Sequence, residues 1–450
     1  MTGPLEWTRR RFLGNGAAAG AALGLGLQGS RGWAQGSAND KVVVAVMGVR
    51  SRGLGMAHEF AKLQNTEVKT VCDVDSTYLA KAQDVVAAAQ GFAPATEADV
   101  RRVLEDPDVD ALVVAAPDHW HAPVTLMALA AGKHVYLEKP CSHNPREGEL
   151  LVEAQRRHPR VVVHMGNQRR SWPGVVRCIR RLREGMIGRV YFAKGWYANN
   201  RGSIGRGQAA AVPEHLDWEL WQGPAPRTTY RDNVHPYNWH WFERWGTGEA
   251  LNNGTHEIDV MRWALGADYP TRVTASGGRY HFDDDWEFPD TMVASFEFEG
   301  GLACTWEGRS CNNTPVEGWG RGVMIHGTEG TVLQVGNGYT AWANDQEQTL
   351  IEQVGEEDAG IADPTNTMSP NASLDGVHVE SFLAAVRGGA ATPSPIDEGH
   401  KSVLLCQLAN IAWKTGRALR TDPASGRVLG DDEAMSLWGR EYEPGWEPVV

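Results

Sequence analysis

The sequence predicts an α/β protein with two domains: a doubly wound parallel sheet, then an α+β domain with a large open, mainly antiparallel sheet. The chain of 450 residues is longer than a single hydrophobic core usually supports. From residue 41 to about residue 115, short apolar runs alternate with helical segments, which is the pattern of a parallel sheet covered by helices. Beyond residue 189 the pattern changes to longer strands of alternating polarity that are separated by glycine turns, which indicates antiparallel strands.

The composition excludes several classes of protein. Hydrophobic residues make up 42% and charged residues 22% of the chain, so neither wholesale disorder nor a polytopic membrane protein is expected. A net charge of −13 argues against a nucleic-acid partner, because phosphate neutralisation needs clustered Lys and Arg side chains. The chain also contains 18 Trp, which indicates either a Trp-rich core or flat apolar surfaces on which a sugar could stack.

The N-terminus predicts a secretory signal over residues 1–34. Basic residues around Arg9 and Arg10 precede an uncharged run at 14–29, and small residues up to Ala34 suit a signal-peptidase site. The paired arginines followed by Phe-Leu resemble a twin-arginine signal, whose pathway exports folded proteins. We therefore expect a periplasmic or otherwise extracytoplasmic protein without stable membrane insertion after signal removal; an uncleaved anchor is the alternative.

The six cysteines are scattered and contain no C-x-x-C pair. No metal site is therefore predicted. Cys304 and Cys311 could pair across a hairpin, but free buried thiols are the expectation for a chain of this size.

A dinucleotide-binding turn is predicted at the start of the mature chain. The apolar run 41–47 indicates a buried strand, and a helix follows to about residue 63. Glycines between such a strand and helix allow a tight turn and bring the helix N-terminus to the pyrophosphate, as in a Rossmann domain. Arg50 replaces the middle glycine and could reach the phosphates. The turn consists of Gly48, Arg50, Ser51, Arg52 and Gly53 together with Val49.

The second predicted strand, 67–72, ends at Asp73. A carboxylate at this place accepts the ribose hydroxyls and repels a 2′-phosphate, so NAD is expected rather than NADP. The alternative is that Asp73 caps the next helix. Helices at 76–89 and 97–105 and a strand at 110–115 continue the alternation, and the predicted NAD-binding Rossmann domain comprises residues 40–162.

Two further segments give the chain a family resemblance. Asp118, His119, Trp120 and His121 end one strand, and Glu138-Lys139-Pro140 closes the next. With the glycine turn and Asp73, these residues closely resemble the glucose–fructose oxidoreductase, inositol dehydrogenase and MocA (Gfo/Idh/MocA) family over roughly residues 41–345.

This resemblance implies roles for individual residues. Lys139 would lie beside the nicotinamide and bind the substrate hydroxyl; the alternative is a surface lysine in a proline turn. The segment 118–121 would cover the nicotinamide ribose, Glu138 would belong to the same cofactor site, and Asn167 would lie near the nicotinamide amide. Arg169 would contact the substrate, although a solvated basic run is an equal alternative.

The second domain is predicted at residues 163–375, with C-terminal helices and a tail at 376–450. Its sheet is expected to roof the active site and, by resemblance to the family, to form a dimer or tetramer interface. A loop rich in acidic and small residues is predicted at about 352–373, and helices near 376–387 and 398–416. The predicted strands are 271–282, 290–299, 302–312, 321–327 and 331–336.

The second domain also contains the predicted acid–base residues. In family dehydrogenases the pattern Asp-x-Gly-x-His provides a general base and an orienting carboxylate, and here Asn252, Gly254 and His256 occupy those positions. Asn252 can orient by hydrogen bonding but cannot raise the basicity of His256 by charge. Asp259, three residues after His256, is a candidate substitute carboxylate, and a solvated helix residue is the alternative. A structural hydrogen bond is the alternative for His256.

Polar and aromatic residues in predicted loops suit the recognition of a polyol, because rings cover C–H faces while amides and Arg bond hydroxyls. Loop packing is the alternative for each of them. Twelve of the tryptophans lie between residues 172 and 342, in the predicted sugar-facing domain. The candidate substrate residues are Arg169, Trp196, Asn199, Tyr237, Trp239 and Trp306.

The sequence therefore predicts an exported NAD(H)-dependent oxidoreductase that acts on a secondary hydroxyl of a sugar or cyclitol. Because free NAD is not expected outside the cytoplasm, the cofactor would be tightly bound and the cycle redox-neutral. An NAD-dependent glycoside hydrolase would use the same residues through transient oxidation and is the main alternative. A catalytically silent sugar- or nucleotide-binding protein is the third. A homodimer or homotetramer is expected.

Overall fold

A computed structural model of the protein describes residues 41–355 and 372–450. The predicted signal segment, 1–34, and most of the acidic loop predicted at about 352–373 lie outside the described residues. Within the described ranges, no helix combines the length and the apolar character that a membrane crossing requires.

The first half alternates strands and helices, as the sequence predicts. Its elements are β1 (Val42–Met47), α1 (Arg52–Ala61), β2 (Thr66–Cys72), α2 (Ser76–Gln90), β3 (Ala95–Glu97), α3 (Val100–Glu105), β4 (Ala111–Val114), α4 (Asp118–Ala130), β5 (His134–Leu137), α5 (Pro145–Arg157), β6 (Val163–Met165) and α6 (Pro173–Arg183). The six strands form a parallel sheet in the order β3-β2-β1-β4-β5-β6. The carboxyl ends of β1 and β4, where the strand order reverses, open a crevice suited to a ligand.

The second half contains the larger sheet and the remaining helices. Its elements are β7 (Val190–Ala198), α7 (Trp218–Gln222), α8 (Gly248–Asn252), α9 (Gly254–Leu265), β8 (Arg272–Gly278), β9 (Thr291–Phe298), β10 (Leu302–Arg309), β11 (Arg321–Gly327), β12 (Gly330–Val335), β13 (Gly338–Ala343), β14 (Leu350–Val354), α10 (Ala372–Val386), α11 (Ile396–Thr415), β15 (Leu419–Arg420) and α12 (Asp432–Ser436). Short 3-10 helices lie at Gln168–Arg170 and Asn238–Trp241.

Nine strands form this second sheet, in the order β14-β13-β12-β11-β7-β10-β9-β8-β15. Only the pairing of β7 with β10 is parallel among these described strands. The fold class that the sequence predicts is thus confirmed, and α9 packs directly on β7 and β10. Helix α11 contacts α5 on one side and α9 and β8 on the other, so it connects the two sheets.

Several predicted elements have different boundaries in the structure: the strand predicted at 302–312 ends at Arg309, and the helix predicted near 376–387 begins at Ala372. Two further differences have a clear physical cause. The helix predicted at 97–105 begins only at Val100, because the carboxylate of Asp99 accepts the Arg101 amide and caps the helix. The preceding residues form β3 instead. The strand predicted at 271–282 ends at Gly278, after which the backbone amides of Tyr280 and His281 donate to Asp290 rather than to a neighbouring strand.

All six cysteines are free and buried. The disulfide considered between Cys304 and Cys311 is therefore absent, and the expectation of free thiols is confirmed.

Candidate active site

A cavity of about 840 Å³ lies at the carboxyl ends of the parallel strands. Residues of the glycine turn and of β2 line one end, and residues of β7, α9 and β11 line the other. The cavity therefore places residues from the start of the chain beside residues more than 250 positions away.

The two glycines of the turn are required by close packing. Gly48 has φ +81°, and a Cβ there would lie 2.6 Å from the backbone nitrogen of Ala116. A Cβ on Gly53 would lie 1.7 Å from the carbonyl oxygen of Gly48. Gly53 itself does not line the cavity but lets α1 begin against β1, with Ser51 and Arg52 at the cavity wall. This cradle fits a dinucleotide pyrophosphate at a helix N-terminus.

Arg50 extends along the mouth of the cavity. Its Nε donates to the hydroxyl of Tyr78 at 3.3 Å, and its guanidinium lies 5.8 Å from the ring of Tyr78 and 5.7 Å from that of Tyr237. The arginine that replaces the middle glycine therefore contributes a positive charge to the cavity wall.

Asp73 lines the cavity and is held by backbone amides. Its carboxylate accepts from Val49 N at 2.7 Å and from Asp75 N at 3.0 Å. Burial raises the pKa of Asp73 to about 6. The alternative role as a helix cap is excluded, because Asp75 caps α2 by accepting the Thr77 amide at 2.9 Å. Asp73 is thus positioned at the place where dinucleotide-binding folds contact a ribose.

Arg52 and Glu138 form part of an ion-pair network at the turn. The Arg52 guanidinium lies 2.7 Å from Glu138 and 2.5 Å from Asp375 of α10, and Glu138 also accepts from Gln168 at 3.2 Å. All four side chains line the cavity. Asp375 was not predicted from the sequence, because a single acidic residue at the start of a distant helix carries no local signal.

Lys139 and Asn252 meet directly in the cavity. The ammonium of Lys139 donates to the backbone carbonyl of Asn252 and, at 3.2 Å, to its side-chain oxygen. Burial lowers the pKa of Lys139, which Glu138 and Asp118 partly oppose. The structure therefore brings the predicted lysine and the predicted orienting amide together.

His256 lines the same cavity from the first turn of α9. Among the described residues, none forms a hydrogen bond with its imidazole, so the structural alternative is not supported. Burial lowers the pKa of His256 well below its ordinary value, and the charges of Arg321, Lys139 and Arg169 lower it further. A neutral imidazole with unoccupied ring nitrogens is able to accept a proton from a substrate hydroxyl.

The first turn of α4 contributes three of its four predicted residues to the cavity, namely Asp118, Trp120 and His121. The Asp118 carboxylate accepts from Thr247 at 2.5 Å, and the Trp120 indole donates to Trp221 O at 3.0 Å. His119 does not line the cavity. It is fully buried with Nε2 3.0 Å from the same Trp221 carbonyl, which corrects its assignment as a cofactor contact.

Several other predicted residues lie away from the cavity. Asp259 is 1% exposed and bound to both Arg170 (2.9 Å) and Ser402 (2.7 Å), so it pairs with another arginine instead of replacing the missing carboxylate. Asn167, 1% exposed, is packed behind the wall rather than in it. Neither side chain lines the cavity; the ion pair of Asp259 does not favour its role as a substitute carboxylate, and the place of Asn167 near the nicotinamide amide stays a prediction.

The candidate tryptophans divide in the same way. Trp239 lines the cavity with Tyr237 and Asn199, whereas Trp196 and Trp306 are each 1% exposed and do not. The Trp196 indole donates to Trp319 O at 2.9 Å, and Trp306 packs against Gly254 and Gly308. Period-2 alternation places the two rings on opposite faces of the sheet. Trp306 pairs with Gly195 on the face covered by α9, whereas Trp196 lies on the other face and packs against Gly322.

Two arginines that were not among the predicted substrate residues, Arg201 and Arg321, also line the cavity. Arg201 binds Glu249 at 2.8 Å and the Tyr237 hydroxyl at 2.9 Å, and Arg321 binds Glu257 at 2.8 Å. Arg201 belongs to a loop whose aromatic and amide residues already indicate a ligand surface. Arg321 opens an ordinary strand, where its sequence gives no such signal.

A Rossmann-type sheet, a glycine turn and a lysine–histidine pair in one cavity define a dinucleotide-dependent class of proteins. Residues 42–166 match the family model "Oxidoreductase family, NAD-binding Rossmann fold" (GFO_IDH_MocA), and residues 223–420 match "Oxidoreductase family, C-terminal alpha/beta domain" (GFO_IDH_MocA_C). The chain belongs to this Gfo/Idh/MocA oxidoreductase family.

Similar proteins carry two kinds of name. Glycosyl hydrolase family 109 protein 2 of Shewanella sp. (strain ANA-3) is 25% identical over 305 residues, which are 65% of this chain and 62% of that protein. Inositol 2-dehydrogenase of Salmonella paratyphi B (strain ATCC BAA-1250 / SPB7) is 27% identical over 49% of this chain and 54% of that protein. The match thus spans less than two thirds of the length of these relatives.

A solved structure shares the fold. Levoglucosan dehydrogenase in complex with NADH and levoglucosan superposes with a TM-score of 0.64 at 19% identity, over 84% of this chain and 99% of that one.

Proposed function

We propose that this protein is an exported NAD(H)-dependent oxidoreductase that acts on a secondary hydroxyl of a sugar or cyclitol. The observation that carries the proposal is one cavity that contains the glycine turn, Asp73, Lys139 and His256. Family membership and relatives such as the inositol 2-dehydrogenase support the substrate class.

The residues divide the chemistry between them. NAD, held at the glycine turn, supplies the hydride acceptor when it is bound. The Lys139 ammonium donates a hydrogen bond to the reacting hydroxyl and stabilises the alkoxide as its C–H bond breaks. His256, neutral because its pKa is lowered, accepts the hydroxyl proton. Asn252 orients Lys139 through its two oxygen acceptors.

We also propose NAD rather than NADP as the cofactor. The Asp73 carboxylate at the end of β2 can accept both hydroxyls of a ribose. A 2′-phosphate at the same place would be repelled by its charge. Export in the folded state, which the resemblance of residues 1–34 to a twin-arginine signal supports, would carry the cofactor along and favour a redox-neutral cycle.

A glycosidase is the second candidate, and two observations favour it. Relatives that match over 65% of the chain are named as glycosyl hydrolases of family 109. Asn252 also replaces the aspartate of the family's dehydrogenase pattern. Such an enzyme would oxidise the sugar, eliminate the aglycone across the acidified C–H bond, add water and return the hydride to the sugar.

The first experiment is to denature the purified full-length protein and to assay the supernatant for NAD(H). Released nucleotide, or saturable binding of added NADH, is expected. If neither is observed, both enzyme hypotheses are contradicted. Aryl glycosides are then incubated without added cofactor. Aglycone release identifies the glycosidase, whereas sugar-dependent NADH absorbance without release identifies the dehydrogenase.

Lys139→Ala is expected to reduce either activity by at least about a hundredfold. Lys81→Ala is the matched control, because Lys81 is exposed on α2 and does not line the cavity. Equal loss in both variants would contradict the assigned role of Lys139.

We propose that the protein forms a homodimer or homotetramer through the second sheet. Exposed apolar residues on its strands, such as Tyr191 (40% exposed) and Val293 (45% exposed), support this assembly. Light scattering coupled to gel filtration measures the mass. A monomer at micromolar concentration would contradict the proposal.

A further inference from the structure

Positive charges outnumber negative ones at the part of the cavity around Lys139 and His256, which we call the substrate end. At the cofactor end, Arg52 is paired with two carboxylates, those of Glu138 and Asp375. At the other end, Arg169 and Arg321 share the single carboxylate of Glu257. One oxygen of Glu257 accepts from Arg169 at 3.0 Å and from two nitrogens of Arg321 at 3.0 and 2.8 Å. Two guanidinium groups therefore face one carboxylate, which leaves one positive charge uncompensated.

Arg169 carries an unused donor in this cluster. Its side chain is 7% exposed and lines the cavity, and its Nη1 is buried with no hydrogen-bond partner among the described residues. Its other cavity neighbour, Trp172, offers only a ring face at 6.0 Å. A buried charged donor without a partner is costly, so a ligand acceptor at this place would be bound strongly.

Neighbouring groups do not neutralise the cluster. Arg321 otherwise contacts the neutral Asn253, at 3.4 and 3.5 Å, and the ring of Tyr197, at 5.1 Å. Lys139 adds a third cation; its hydrogen-bond partner Asn252 is neutral, and the carboxylates of Glu138 and Asp118 offset part of its charge. Glu249 and Asp259, which also act on the two arginines, are already paired with Arg201 and Arg170, each at 2.8 Å.

We propose that the substrate is an acidic sugar, and that Arg169 and Arg321 bind its carboxylate beside Lys139 and His256. This inference rests on the proposed function, since it names the substrate class of the same site. A planar carboxylate matches the forked donors of guanidinium groups, which makes arginine the preferred residue for this recognition.

The same anion would assist the acid–base step. The cations around His256 lower its pKa. A bound carboxylate next to Arg169 and Arg321 offsets these charges and makes the imidazole a stronger base. Substrate binding would thereby prepare the base that removes the hydroxyl proton.

The test compares acidic sugars with their neutral parents on the full-length protein loaded with NAD(H). D-Glucuronate and D-galacturonate, together with their methyl glycosides, are titrated against D-glucose, D-galactose and the corresponding glycosides by calorimetry. We expect the acid of a pair to bind at least about tenfold more tightly. We also expect this preference to shrink as salt rises from 20 to about 500 mM. Equal affinities across the panel, or no binding of either member, would overturn the inference.

Two substitutions with opposite expected signs sharpen the test. Arg321→Gln should move the ratio of acidic to neutral affinity towards one, because a positive charge is lost. Glu257→Gln should increase the ratio, because the competing carboxylate is lost. Arg180→Gln is the matched control, since its side chain is 67% exposed on α6, and should leave the ratio unchanged. If neither cluster variant folds, the wild-type comparison alone decides.

Cofactor titration separates this inference from the proposed function. Failure of NADH to bind contradicts the proposed function. If NADH binds and neutral and acidic sugars are turned over with equal kcat/KM, only the inference of an acidic substrate is contradicted, and the proposed function stands.

Discussion

His256 and Asp73 show how burial tunes single residues of this site in opposite directions. Burial disfavours the charged form of either group, so it lowers the pKa of the histidine and raises that of the aspartate. For His256 the result is a neutral imidazole over the whole physiological range. For Asp73 the result is a carboxyl group with a pKa of about 6, which lies within the pH range in which ligand binding is ordinarily measured.

We expect the base limb assigned to His256 to lie well below the usual range of an imidazole, since burial lowers its pKa well below the ordinary value. The imidazole is then neutral and active throughout the neutral pH range. The pH profile of kcat/KM measures this, and His256→Asn should lower kcat/KM by about 10²–10⁴-fold. A wild-type limb near pH 7 would contradict the assignment.

Affinity for NADH should decrease below the pKa of Asp73, which is raised to about 6. The raised value means that the carboxylate, which we propose as the acceptor of the ribose hydroxyls, is present above that pH and lost below it. At pH 5 about nine tenths of the group is protonated, so affinity should fall about tenfold relative to pH 7. Fluorescence titration measures this, and Asp73→Asn should remove the pH dependence. The same dependence in the variant would assign the effect to another group.

At the scale of elements, the strand–turn–helix unit at the start of the first sheet requires glycine at two positions, because no side chain fits there. Gly48 and Gly53 approach each other and the neighbouring strand so closely that no Cβ fits at either position. The turn is therefore set by packing, and Arg50 fits in place of the middle glycine because its side chain lines the cavity and bonds to Tyr78.

Gly53→Ala should disrupt this unit, because its Cβ would lie 1.7 Å from Gly48 O. We expect the free energy of unfolding to fall by about 1–3 kcal/mol and NADH binding to be lost. Gly55→Ala, two residues along the same helix, is the matched control. Its Cβ meets nothing within 4 Å, so the free energy of unfolding should rise by about 0.5–1 kcal/mol. Urea denaturation and NADH titration compare them; equal effects would show that the turn is not packed as described.

At the scale of the whole molecule, the C-terminal tail contacts the residues behind one wall of the site. No chemistry was expected of it from the sequence. In the structure Arg440 binds the fully buried Glu147 at 2.8 Å and donates to His119 O at 2.6 Å. Trp446 lies edge-on to Trp120, with ring centroids 5.2 Å apart. The tail thus holds the segment that covers one side of the cavity.

Arg440→Gln should destabilise the protein by about 3 kcal/mol or more, because it leaves the buried carboxylate of Glu147 without its ion pair. We also expect weaker NADH binding, since His119 and Trp120 lose support. Arg420→Gln, at an exposed position of β15, is the control. Thermal unfolding and NADH titration measure both effects; a variant as stable as the control would contradict this role of the tail.

Local pattern alone determined the fold class, the glycine turn and Asp73, because these follow strands with a clear apolar pattern and the carboxyl ends of parallel strands meet at one edge. Lys139 was predicted through the family resemblance of the Glu138-Lys139-Pro140 segment. Only the tertiary structure decided which distant residues share the cavity. Asp259 and Trp306 look like ligand residues but face Arg170 and the helix layer, whereas Arg321 and Asp375 reach the cavity from a strand and a helix without any motif. The physical reason is that a short motif reflects only the local conformation of its own segment. Charge balance and burial depend on contacts between elements that are distant in the sequence and meet only after folding.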